Sequence, residues 1–127
     1  DALNKVAIPA GFTVAISCLG LREPSKATKE EFVKVDVTYQ ATFAQACKAG
    51  GIKHFSLVSA VNASAKAASR FGRTKFKSEV AVREVGFDKL SVFRPSILKT
   101  TGVRYGFKDK MAQVNKDVYD VLFGFVF

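Results

Sequence analysis

Apolar and polar positions alternate between two rhythms along this chain. Phe12 to Leu19 reads FTVAISCL, a short apolar run that ends at Gly20. Such a run predicts a strand buried on both faces, as a parallel sheet requires. The next eight residues are polar, contain Pro24, and predict a loop. Thr28-Lys29-Glu30-Glu31 has the form of a capping box, in which the Thr28 hydroxyl takes an amide of the first turn and Glu31 reaches back. A helix follows, with Phe32, Val35, Tyr39, Phe43 and Ala46 at spacings of three and four as its expected buried face. Gly50-Gly51 ends it. Lys53 to Ser59 predicts a second strand, 70–85 a second helix stopped at Gly86, and Leu90 to Phe93 a third strand closed by Arg94-Pro95. The order is βαβαβ with short connections. It predicts an α/β fold: a partial Rossmann-like parallel sheet with flanking helices. A further C-terminal helix is expected over 108–121, ahead of a largely apolar tail at 121–127.

Length makes this one domain, 1–127, with its core at about 12–98. No apolar run reaches the ~18–20 residues of a membrane span, and no secretory leader is visible. Cys18 and Cys47 are expected to be buried free thiols rather than a disulfide framework. Together with the lone His54 they have no zinc-ligand spacing. The +9 charge is uneven. Residues 1–63 hold seven basic and five acidic residues, and 64–127 hold thirteen and six. Lys66, Arg70, Arg73, Lys75 and Lys77 fall in a stretch, 64–78, without an acid. There is no aromatic ladder, zinc finger or helix-turn-helix pattern beside them, so nucleic acid is not the expected partner. The basic balance and the absent initiating Met are compatible with a processed organellar protein.

Ligands of doubly wound sheets bind beyond the carboxyl ends of the strands. Those ends carry Cys18-Leu19-Gly20, Ser59-Ala60 and Arg94-Pro95-Ser96-Ile97. Phe71, Lys75 and Glu79 then share one face of the second helix. With Tyr at 71, this would be a Tyr-x-x-x-Lys pair, in which lysine lowers the phenol pKa and tyrosine exchanges a proton with a carbonyl or alcohol.

On these residues, from Phe12 to Leu98, the chain resembles the atypical short-chain dehydrogenases/reductases, and within them the Tat-interacting-protein oxidoreductase group. The matching stretches are Ile16-Ser-Cys-Leu-Gly20, Phe32-Val-Lys-Val-Asp36, the run from Ala46 to Ser59, Lys75-x-x-x-Glu79 and the run from Phe87 to Pro95. The resemblance implies a Rossmann fold that binds NADP or NAD. It places Ser59 on the catalytic serine and Lys75 on the catalytic lysine. Cys18, Leu19, Gly20, Pro95, Ser96 and Ile97 fall on segments that line the cofactor. Three departures oppose this. Phe71 stands at the tyrosine position and has no ionisable hydrogen. No Gly-x-Gly-x-x-Gly or Gly-x-x-Gly-x-x-Gly turn occurs to hold a pyrophosphate at a helix N-terminus. Residues 99–127 do not match the substrate side of the family. The expectation is therefore a degenerate, non-catalytic member with no cofactor or weak NADP/NAD binding. It would serve as an accessory or scaffold subunit with protein partners, and its 121–127 tail would either pack on the sheet or meet a partner or a membrane surface. The alternative is an NAD(P)-dependent oxidoreductase, or an NAD(P)H-binding regulator, seen as a fragment.

Overall fold

The computed structural model describes residues 7–21 and 26–96. Ile97, the expected helix at 108–121 and the apolar tail at 121–127 lie outside the described residues. The chain divides after Pro95, and apart from Ser96 all described residues belong to Asp1–Pro95.

Three strands form one parallel sheet in chain order: β1 (Val14–Ser17), β2 (His54–Val58) and β3 (Lys89–Phe93). The register sets Ile16 beside Ser56 and Ser56 beside Ser91. Two connections cross between the strands. The first runs through α1 (Lys29–Val33), a wider π-helical stretch (Lys34–Tyr39) and α2 (Gln40–Ala49); the second is α3 (Arg70–Glu84). This is the expected α/β arrangement, and its strand and helix limits fall within one or two residues of the sequence reading in most cases.

The local signals work as written. Thr28 Oγ1 accepts from Glu31 N at 3.2 Å, and Glu31 Oε2 accepts from Thr28 N at 2.7 Å, so both halves of the capping box close. Gly51 takes φ +86°, a left-handed turn that a side chain would strain, and it aims the chain into β2. Side chains from α2 and α3 cover one face of the sheet. Ala44, Cys47 and Val82 pack there on Phe55 and Leu57, with Ala15 and Leu90 at the margin. Phe55 stacks on Phe87, centroids 4.9 Å apart, and meets Phe43 at 5.9 Å.

Two expectations change. β1 is not buried on both faces: Val14 is 48% exposed and Ile16 64%. The helices cover the Ala15–Ser17 face, and Val14 and Ile16 point to the other. The buried line of the first helical crossover also differs. Phe32, Asp36, Gln40, Ala44 and Cys47 are buried, while Val35, Tyr39, Phe43 and Ala46 are only partly so. The π-helical turn at 34–39 resets the helical register, and the buried side of this stretch carries an acid and an amide. Those two polar groups lie inward because each finds a partner there, as a buried polar group must.

Candidate functional site

The carboxyl end of β1 is held by side chains rather than by further strand. Gln40 bridges it: its Oε1 accepts from Ser17 Oγ at 2.5 Å, and its Nε2 donates to the Leu19 carbonyl at 2.8 Å. Asp36, one turn earlier, accepts from Leu21 N through Oδ2 at 2.7 Å. Its other oxygen, Oδ1, meets Lys75 Nζ at 2.7 Å. The two charges approach without hydrogen-bond alignment, so Oδ1 is an ion-pair partner and not an acceptor of a directed bond. Both side chains are buried, Lys75 at 8% and Asp36 at 1% exposure. Gly20 lies over this pair. A Cβ there would come within 2.8 Å of Asp36 Oδ1 and collide with Lys75 Nζ, so the close approach requires glycine. Lys75 Nζ also stands 5.6 Å from the centre of the Phe71 ring.

A second buried carboxylate sits one turn along α3. Glu79 is fully buried. It accepts from Ser59 Oγ at 2.5 Å through Oε1, and from Arg94 Nε at 2.9 Å and Nη2 at 2.5 Å through both oxygens. The planar guanidinium fits the carboxylate two-pronged. Burial pushes Glu79 up, but the bonds from Arg94 and Ser59 and the Arg94 and Arg83 charges outweigh it and hold the carboxyl below its ordinary range. Its partner Arg94 is raised by the same contact with Glu79. A carboxyl lowered on folding stabilises the fold above its unfolded pKa, and that stabilisation is lost as pH falls through the folded value. Glu79→Gln is therefore expected to flatten the acid limb of stability below about pH 4.5. Thermal melts at stepped pH, by circular dichroism, check this. An unchanged acid limb would show that the network carries no proton linkage.

The structure thus places Ser59 and Lys75 on the two neighbouring elements expected, but commits each elsewhere. The Ser59 hydrogen points to Glu79, and the Lys75 ammonium points to Asp36. Phe71 is half-buried beside the ammonium. Leu19 and Gly20 are exposed at the end of β1. Pro95 is half-buried and its carbonyl accepts from Val61 N at 3.1 Å, which prolongs the tie between the ends of β2 and β3. Ser96 is exposed. Cys18 is exposed too, contrary to expectation, because it lies past the last ladder residue of β1 on the uncovered margin. Cys47 is buried as expected, and burial raises its thiol pKa. A thiol-exchange reagent is expected to titrate one cysteine quickly in the native chain and the second only on unfolding. Two fast thiols would contradict the packing of α2. Among the described residues there is no group of three or more potential metal ligands, and no helix long and apolar enough to cross a membrane.

Asp36, Gln40, Glu79 and Arg94 are the site residues that the sequence leaves without roles. The first two stand four apart in line with Phe32, inside a mostly apolar stretch. That spacing puts two polar groups on a buried face, and it was the available signal.

No protein-family model matches the chain. It is 41% identical over 88 residues to Protein HTATIP2 of Rattus norvegicus, a match that covers 69% of this chain and 36% of the relative. The fold is similar to that of the solved structure MoeE5 in complex with UDP-glucose and NAD, with a TM-score of 0.54 over 65% of this chain and 33% of that one, at 19% identity. The chain belongs to the short-chain dehydrogenase/reductase-like group. It spans about a third of the length of its HTATIP2 relative. Ser59 follows the last residue of β2, and Lys75 lies in α3. Both polar groups are engaged with internal carboxylates, Ser59 with Glu79 and Lys75 with Asp36.

Proposed function

We propose that this chain is a short-chain dehydrogenase/reductase-like protein without reductase turnover, acting as an accessory subunit of a larger assembly. The supporting observation is the Lys75–Asp36 ion pair beside Phe71. Reduction by this kind of site needs a proton donor held at a lowered pKa by a free cation. Here the donor is a phenyl ring and the cation is already neutralised by a buried carboxylate. Ser59 is likewise an acceptor toward any ligand, since its one hydrogen goes to Glu79.

A second reading keeps the dinucleotide. Gly20 is exposed at the end of β1, where backbone is open to close approach, and the NAD-holding neighbour shares the fold. In that reading the segment belongs to a longer NAD(P)-binding oxidoreductase or regulator. Titration of NADPH fluorescence with the purified chain separates the two. The accessory reading expects no saturable enhancement. Saturable binding that excess NADP competes away would overturn it in favour of the second.

A further inference from the structure

α3 has a second face, opposite the one that carries Lys75 and Glu79. Arg73, Phe76, Lys77, Val80, Ala81 and Glu84 follow one another at i, i+3, i+4, i+7, i+8 and i+11. Such positions form a single stripe along a helix. Between this stripe and α1 runs an open groove of about 730 Å³. Its floor is apolar, from Val33 of α1 and Phe76, Val80 and Ala81 of α3. Its rim is basic, from Lys29, Arg73 and Lys77, with Glu84 the one acid among the described lining residues. From Arg73 to Glu84 the stripe is about 16 Å long at 1.5 Å per residue, which seats roughly three turns of helix.

The rim charges are placed rather than merely present. Arg73 Nη1 donates to the Ala67 and Ala68 carbonyls at 2.6 and 2.7 Å, bonds that fix the guanidinium without neutralising it. Lys77 is exposed at the middle of the stripe. A second copy of the chain would set this cationic rim against another, a like-charge contact that opposes self-association. An apolar floor inside a basic rim fits the opposite pattern: apolar residues at i, i+3, i+4 and i+7, flanked by Asp or Glu.

We propose that the groove docks an acidic amphipathic helix of a partner protein. This deepens the accessory-subunit reading, and it names the kind of partner that reading requires. It is tested on the side of α3 away from Lys75, so its failure leaves the dinucleotide titration standing.

The probe is a fluorescein-labelled synthetic peptide of about four helical turns, with Leu at i, i+3, i+4 and i+7 and Glu on both flanks. Anisotropy is read against the full chain. The expected result is saturable binding that weakens at least about tenfold in the Lys29→Glu/Lys77→Glu double variant and as salt is raised. Both substituted lysines are exposed, so circular dichroism is expected to match the parent. Val80→Glu is expected to weaken binding as well, by charging the floor. The proposal is overturned by the absence of saturable binding. Equal binding of a scrambled peptide of the same composition overturns it too, since that would be charge without docking. So does tighter binding to phosphatidylserine vesicles or duplex DNA than to the peptide.

Discussion

Asp36→Ala is expected to destabilise the fold by about 3–5 kcal/mol, the usual cost of stranding one member of a buried ion pair. The substitution leaves the Lys75 ammonium buried against Phe71 with no counter-charge. It also frees the Leu21 amide, which Asp36 Oδ2 holds at the end of β1. The loss is not the worth of the pair. Two charges brought together in a buried place gain little over an apolar pair of the same shape. Asp36→Leu combined with Lys75→Met is therefore expected to be milder than either single change. Urea unfolding followed by circular dichroism measures all three. Additive losses would mean that the two side chains do not share one environment.

Phe55→Ala is expected to cost a similar amount, about 3–5 kcal/mol, for a different reason. Phe55 is fully buried on β2, between Phe87 and Phe43, under α2 and α3. Truncation removes apolar area and leaves a cavity that neighbours on three elements can only partly fill. The effect reaches the site because β2 also carries Ser59 at its end. A denaturation midpoint that falls with an unchanged slope is the expected signature; a loss under about 1 kcal/mol would contradict this account of the core.

The backbone was largely readable from local signals. Each strand is a short apolar run and each helix has a stop: Gly50-Gly51 for the first crossover, Gly86 for α3. The capping box at Thr28 closes as its letters indicate. The exposed faces were not readable, because an apolar run reports that a strand can be buried, not that something covers it. Val14 and Ile16 have the composition of a covered strand and lie open. The register of the first crossover was misread for a different reason. Apolar spacing favoured Val35 and Tyr39, but the π-helical turn and the partners waiting at Ser17, Leu19, Leu21 and Lys75 turn Asp36 and Gln40 inward. A buried acid is legible only together with its counter-ion, and here the two lie on separate elements. The same limit hid the Glu79–Arg94 clasp, whose members are far apart in the chain and adjacent in space.

The positions of Ser59 and Lys75 came from resemblance, and their engagement came from the structure. The two sources differ on what the groups are free to do. A serine and a lysine in the right order imply a working proton relay; a serine bonded to Glu79 and a lysine paired with Asp36 imply groups already satisfied. On the proposed reading, the phenyl ring is one of three obstacles. Restoring tyrosine alone is then expected not to return the relay, because Asp36 compensates the cation that would lower the phenol pKa.

That claim is open to one direct reading, the ultraviolet titration of tyrosinate in Phe71→Tyr against the parent chain, with no cofactor or substrate present. The introduced phenol stands where Lys75 Nζ approaches the ring at position 71. If Asp36 neutralises Lys75, the added phenol titrates near the ordinary value of about 10. The further change Asp36→Asn then moves it downward, provided circular dichroism shows the chain still folded. A phenol already lowered by a unit or more in Phe71→Tyr alone would show the Lys75 charge to be free, and would contradict the account.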